Sequence, residues 1–186
     1  MNIPDIIEGR RSVKKFTDRA VSRAEIETLL AAAVLAPNHR LTNPWRFYVL
    51  GPDARYAYGL ALGERKARKL PDAEAARSLR EAIATEHRDL PAMIVVAAVQ
   101  SENPEIREED YAATMMAIEN LALTAVALGL GTHIKTGGVM GDAASRAAAG
   151  VGENERIVAI VNVGEPAEVP PPRKREPATA LTAWRP

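Results

Sequence analysis

The sequence predicts one domain that contains both helices and strands, and three observations support this prediction. The chain has 186 residues, of which 47% are hydrophobic, so it can form one sizeable core. Segments with helical spacing alternate with short apolar runs of strand length. A long apolar segment in the second half supplies a helix that must lie inside a large core or against a second subunit.

The first part of the chain predicts two helices and one strand. Residues 3–8 suit a short helix, because Pro and Asp stand in its first turn and Gly9 follows it. Ser and Glu at capping-box spacing begin a second helix, and apolar side chains then repeat at helical spacing within residues 22–37. The aromatic and β-branched run at residues 45–50 predicts a strand.

The middle of the chain predicts a polar helical region, a buried strand and a long helix. Residues 53–89 have a helical but polar pattern with a break at residues 71–72, which indicates a surface hairpin or lid. Residues 93–99 form a continuous apolar run, typical of a strand buried on both faces. Residues 110–128 give about five helical turns, apolar almost all round, and Gly129 closes them.

The last part predicts one more strand, a short helix and an extended tail. Residues 131–141 form a Gly-punctuated loop or strand, and residues 142–149 form a short helix. Residues 157–163 predict a second buried strand. The Pro-rich residues 169–186 form an extended arm that we expect to pack on a partner subunit.

Composition argues against several classes of function. The chain has 24 basic and 24 acidic residues and a formal net charge of zero, which disfavours binding to nucleic acid or to an anionic membrane. It has no cysteine, which excludes disulfides, thiolate nucleophiles and iron–sulfur clusters. No secretory leader or membrane-spanning run stands out. We therefore expect a cytoplasmic protein.

Common catalytic and nucleotide-binding motifs are missing from the sequence. Ile134 stands where a dinucleotide fingerprint needs its third glycine, and neither a P-loop nor a serine nucleophile elbow is present. The histidines, His39, His87 and His133, lack the spacing of zinc ligands. We therefore predict no metal site.

Two short segments carry the strongest functional signal. Residues 10–16, RRSVKKF, offer arginines, a hydroxyl and lysines that can hold a phosphate and a second, diffuse negative charge. Residues 36–45, APNHRLTNPW, form a turn-rich loop before the first strand, where side chains often take part in chemistry. Alone, the first segment is more often a solvated basic turn, and only the combination favours a site.

In combination these segments resemble the nitroreductase family of flavin enzymes. Residues 10–16 are similar to the family pattern R-R-S-[VI]-[RK]-x-F, and residues 36–47 are similar to A-P-[SD]-x-x-x-x-Q-P-W-x-F, with Asn43 in place of the Gln. The long helix ends in A-V-A-L-G-L-G at Gly131, and the last strand ends in G-x-P at Pro166, as in the family. The A-P-N-H-R loop resembles the A-P-D-H-K loop of a small bacterial subgroup.

One segment departs from that subgroup. Residues 132–137, THIKTG, stand where the subgroup reads roughly G-I-W-R-S-G. Lys135 and Thr136 keep a cation and a hydroxyl, whereas His133 and Ile134 change the wall of the pocket over the flavin. The departure leaves the substrate range open.

The resemblance implies an α+β fold, with a small mixed central sheet flanked by helices and the long apolar helix at a dimer interface. It implies a single domain over residues 1–186, in which residues 169–186 are the C-terminal arm. The implied partners are a second copy of the chain and a small-molecule acceptor.

The resemblance also implies non-covalent FMN at the interface of that homodimer. Arg10 and Ser12, with residues 135–136, would hold the ribityl phosphate. Lys14 would face the N1/O2 edge of the flavin and stabilise the negative charge that appears there on reduction. His39 would come from the partner chain. The residues implied to bind FMN are Arg10, Arg11, Ser12, Lys14, Pro37, Asn38, His39, Ile134, Lys135, Thr136 and Gly137.

The implied reaction is ping-pong transfer of hydride from NAD(P)H to flavin N5 and then to nitroaromatics, quinones or similar conjugated acceptors. Flavin destruction, reductive dehalogenation and a non-enzymatic flavin-binding regulator remain as alternatives. The sequence leaves open the physiological acceptor, the choice between NADH and NADPH, and a lid role for residues 53–89. It also leaves open which cation among residues 173–175, if any, reaches the phosphate.

Overall fold

A computed structural model describes residues 2–185, in which six α-helices and four β-strands form. The helices are α1 (Ile3–Gly9), α2 (Arg23–Ala33), α3 (Pro52–Ala67), α4 (Ala73–Arg88), α5 (Pro104–Ala127) and α6 (Ala143–Ala149). The strands are β1 (Trp45–Val49), β2 (Ala92–Val99), β3 (Gly131–Lys135) and β4 (Glu155–Gly164).

The helices begin at side chains that satisfy their free backbone N–H groups. The capping box predicted at the start of α2 is confirmed, because the Ser22 side chain accepts from the Glu25 backbone and the Glu25 carboxylate accepts from Ser22. Helix α5 begins at Pro104 rather than near Asp110, because the Asn103 side chain caps it. Its first turns are too polar to show an apolar period, so the sequence pattern places its start too late.

The four strands form one sheet in the order β1-β2-β4-β3, and every neighbouring pair is antiparallel. Within residues 2–185, parallel pairing occurs at one isolated bridge, between Ser12 and Thr132. The parallel component expected of a mixed sheet is therefore limited to the contact of the N-terminal segment with the edge strand β3.

Helices cover both faces of the sheet. On one face, α2 and α5 contribute Leu29, Ile118 and Leu121 to a core that includes alternate residues of β2 and β4. On the other face, Tyr58 of α3 and Ala149 of α6 pack against a second set of strand residues. Since each face of a sheet takes every second side chain, both inner strands are almost wholly apolar. The α+β fold is confirmed.

Helices α3 and α4 form the predicted hairpin, and close backbone contact joins them. A Cβ at Gly59 would lie 2.7 Å from Ala84 Cα, and one at Gly63 would lie 2.8 Å from Arg80 Cα. Neither position has room for a side chain. The hairpin is thus a packed layer of the fold. Tyr58 of α3 is buried where the hairpin packs against the sheet.

Segments from near both ends of the described chain are joined beside β3. The Val13 N–H donates to the Thr132 carbonyl at 2.9 Å, and the Thr17 N–H donates to the Glu165 carbonyl at 2.9 Å. The Ala167 N–H donates to the Lys15 carbonyl at 3.0 Å. Beyond these contacts, residues 169–185 are mostly exposed. Their backbone is extended except for a short 3₁₀ turn at residues 178–181.

Within residues 2–185, no helix combines the length and hydrophobicity that crossing a membrane requires.

Candidate functional site

A groove of about 1100 Å³ runs between the N-terminal segment, the edge strand β3 and the start of the extended tail. Its lining includes His133 and Ile134 of β3 and prolines 170–172 of the tail. Two carboxylates, Glu8 and Glu168, also border it. The cations that line it are Arg10, Arg11, Lys14, Lys15, Arg173 and Arg175. Cations therefore outnumber carboxylates, and the groove favours an anion.

The N-terminal segment lies against β3 and borders this groove. Val13 is buried against Gly131, where a Cβ would lie only 2.5 Å from Val13 Cγ2. Ser12 and Lys14, which flank Val13 in the chain, line the groove, and so do Arg11 and Lys15. Glycine at 131 is therefore what allows the segment to lie against β3.

The two arginines of the segment have different surroundings. Arg10 Nε lies 3.2 Å from the Glu119 carboxylate on α5. The Arg11 guanidinium donates to the Glu8 carbonyl and, at 2.8 Å, to the Arg10 carbonyl, so it caps the C-terminus of α1. Arg11 Nε is buried and has no hydrogen-bond partner among the described residues. This buried N–H is therefore left without a partner in the described structure.

The two lysines of the segment also differ. Lys15 Nζ lies 2.8 Å from Glu168 Oε2, and this contact raises the pKa of Lys15. The pair is exposed and adds little to stability, but it ties the base of the tail to the groove. No hydrogen bond or ion pair involves Lys14 within residues 2–185, so its ammonium is available to a ligand.

Lys135 turns out of the groove toward helix α4. Its Nζ lies 3.3 Å from His87 Nε2, while His87 Nδ1 donates to the Ile83 carbonyl at 2.8 Å. Burial lowers the pKa of both Lys135 and His87. Thr136 and Gly137, like Lys135, do not line the groove. Of the site residues predicted at positions 134–137, Ile134 alone does so.

The loop at residues 37–43 is fixed to the start of α5. His39 Nδ1 lies 2.9 Å from Glu109 Oε1, and Arg40 Nε donates to the other oxygen of Glu109 at 3.0 Å. These contacts lower the pKa of the Glu109 carboxylate. The Thr42 hydroxyl donates to Asp110. Pro37, Asn38 and His39 do not line the groove of their own chain, and their contact with FMN stays a prediction.

Lys15, Glu168 and Asn162 are among the residues at or beside the groove that were not predicted as site residues from sequence. Lys15 and Glu168 form the ion pair at the base of the tail. Asn162 is a buried amide on β4, directly across from His133. A single Asn inside the apolar run 157–163 is the signal that could have identified it, since an interior strand position rarely holds an amide without a purpose.

Comparisons with known proteins agree with this geometry. The nitroreductase family model matches residues 7–165. The chain is 34% identical over 176 residues to YfhC of Bacillus subtilis (strain 168), a predicted NAD(P)H nitroreductase, and the match covers 93% of this chain and 89% of YfhC.

Two solved structures share the fold over the whole chain. A nitroreductase-like family protein from Bacillus cereus has a TM-score of 0.85 and 30% identity, covering 100% of this chain and 96% of that one. A predicted nitroreductase from Desulfovibrio desulfuricans, solved in complex with FMN, has a TM-score of 0.74 and 25% identity, covering 100% of this chain and 98% of that one.

Proposed function

The chain belongs to the nitroreductase family, and on that premise we propose that it is an FMN-dependent oxidoreductase. In this proposal it takes hydride from NAD(P)H and passes it to nitroaromatics, quinones or similar conjugated acceptors. The observation that carries the proposal is the cationic groove, which brings residues 10–14 together with Arg173 and Arg175.

The residues of the groove fit a phosphorylated flavin. A ribityl phosphate carries close to two negative charges and accepts several hydrogen bonds, which arginines and a hydroxyl satisfy. Arg10, Arg11 and Ser12 all line the groove and offer these donors. The prolines of the tail and Ile134 give the groove apolar surface for a planar ring.

Different residues of the chain then bind the phosphate and the ring of FMN. Arg10, Arg11 and Ser12 hold the phosphate, and Arg173 or Arg175 closes over it from the tail. Lys14 lies against the ring and stabilises negative charge there. Lys135, Thr136 and Gly137 enter the proposal on the family pattern alone, because they do not line the groove of this chain.

FMN, when bound, supplies the group that accepts hydride from the nicotinamide and donates it to the acceptor. The protein orients that ring with Lys14 and leaves one face of the groove open to the two substrates in turn. No acid or base among the described residues is assigned to the hydride step.

We further propose that the active form is a homodimer. Large apolar side chains are exposed on the loop and on α5, with Leu35 at 79%, Leu41 at 79% and Met116 at 42% exposure. The tail adds Trp184, which is 91% exposed. A second copy would cover these residues and bring Pro37, Asn38 and His39 to the partner's groove.

Purification and a steady-state assay test the proposal. The protein should be yellow, should release one FMN per chain on denaturation, and, in the absence of oxygen, should oxidise NADH or NADPH catalytically only when a nitroaromatic or quinone is added. Arg173→Ala should weaken FMN binding, whereas Lys174→Ala should not, since Lys174 does not line the groove. A colourless protein that cannot be reconstituted with FMN would refute the proposal.

The same assay separates the alternatives. Loss of the flavin spectrum during turnover would indicate flavin destruction, and halide release would indicate reductive dehalogenation. Stable FMN binding without oxidation of either nicotinamide would indicate a flavin-binding regulator.

A further inference from the structure

A buried polar position lies beside the groove in a part of the sheet that is otherwise apolar. Asn162 of β4 is 5% exposed, and its neighbours Val161 and Val163 are fully buried. Its side-chain oxygen, Oδ1, has no hydrogen-bond partner among the described residues. An unpaired acceptor in such a place costs free energy, so a donor that completes it is to be expected.

The strand register identifies a candidate donor. Asn162 pairs directly with His133 of β3, and opposite residues of antiparallel strands place their side chains on the same face, about 5 Å apart at Cβ. His133 also lines the groove. His133 thus shares a sheet face with the buried amide and also borders the groove.

The surroundings of His133 favour the neutral form of its ring. Burial lowers its pKa most, and the ammonium groups of Lys135 and Lys14 lower it further. A neutral imidazole has one N–H donor and one nitrogen acceptor. Within residues 2–185 no hydrogen bond involves the His133 side chain, so both nitrogens are available.

We propose that His133 recognises the ligand's ring: its N–H donates to Asn162 Oδ1, and its other nitrogen accepts a hydrogen bond from an imide N–H in the groove. Asn162 is then a positioning residue, because it fixes which nitrogen of His133 carries the hydrogen. The inference rests on the proposed function, since FMN is the ring in question. In the isoalloxazine the N3–H adjoins the C2 carbonyl, the edge assigned above to Lys14, and Lys14 and His133 line the same groove.

The test compares FMN with 3-methyl-FMN, which lacks the imide N–H, by fluorescence titration of the apoprotein. We expect the wild type to bind FMN about tenfold more tightly, the size of one lost hydrogen bond in a protein interior. His133→Phe keeps an aromatic ring but has no acceptor, so it should bind FMN about tenfold more weakly and bind the two flavins equally. If the variant still favours FMN tenfold, the methyl group acts by steric exclusion and the inference is wrong.

The role of Asn162 has its own readout. Nitrogen-15 NMR of the imidazoles should show one fixed tautomer for His133 in the wild type and a mixture in Asn162→Ala. His87 serves as an internal control, because its tautomer is set by the Ile83 carbonyl and should not change. An unchanged His133 spectrum in Asn162→Ala would overturn the positioning role.

These outcomes separate the inference from the proposed function. An apoprotein that binds neither flavin refutes both. An apoprotein that binds both flavins equally in the wild type refutes the role of His133 and leaves the proposal of an FMN enzyme intact.

Discussion

Lys14 and Lys15 are adjacent cations, and they differ in what they contact. Lys15 pairs with Glu168, whereas Lys14 lines the groove without an ion pair among the described residues. Lys14→Ala should lower the midpoint potential of bound FMN and slow its reduction by NAD(P)H at least about tenfold, because the anionic hydroquinone loses a stabilising charge. FMN affinity should change far less than in Arg10→Ala.

Dye-equilibration potentials and stopped-flow reduction provide the measurements for Lys14. Lys15→Ala is the matched control, since it removes an ammonium whose charge is already balanced by Glu168. Equal potentials in Lys14→Ala and the wild type would contradict the role given to Lys14.

At the scale of elements, the contact between α3 and α4 depends on two glycines. Gly63→Ala should destabilise the fold by about 1–3 kcal/mol, because its methyl group would meet the Arg80 backbone at 2.8 Å. The gain of up to about 1 kcal/mol in helix propensity does not offset this clash. Urea unfolding measures the difference.

Gly9→Ala provides the comparison for that experiment. Gly9 is the last residue of α1, and a Cβ there would have Val126 Cγ1 as its nearest neighbour at 3.5 Å, an ordinary contact. The free energy of unfolding of Gly9→Ala should therefore be close to that of the wild type. If Gly63→Ala is equally well tolerated, the two helices do not require backbone contact.

The sequence was sufficient to predict the elements whose signals are local. The capping box at Ser22, the apolar runs of β2 and β4 and the helical hairpin follow from spacing and composition within short windows. The start of α5 was placed too late, because an Asn cap followed by charged turns resembles a polar loop. The order of the strands could not be predicted, since pairing between distant segments leaves no local pattern.

The same distinction applies to the candidate site. Arg10, Arg11, Ser12 and Lys14 were predicted to act together, and the structure places them along one groove. The direction of Lys135 could not be predicted, because it depends on which face of β3 lies toward α4. The role of Asn162 could not be predicted either, because it depends on the register that pairs Asn162 with His133.

At the scale of the whole molecule, the extended tail has apolar side chains that nothing within residues 2–185 covers. Leu181 is 76% exposed and Trp184 is 91% exposed. We expect Trp184→Ala to shift the protein from dimer toward monomer in light scattering, because a buried Trp commonly contributes several kcal/mol to an interface. The adjacent Arg185→Ala should leave the dimer unchanged. A wild-type protein that is monomeric at all concentrations would contradict the proposed assembly.

Two segments that line the groove, residues 10–15 and the start of the tail, are synthesised at very different times. Residues 10–15 leave the ribosome early, whereas Glu168 and Arg173 follow only after β4. Contacts such as Val13 with Thr132 and Lys15 with Glu168 close long loops, which form slowly. A nascent chain therefore lacks a complete groove, and under the proposed function it takes up its cofactor only after its synthesis has passed the tail.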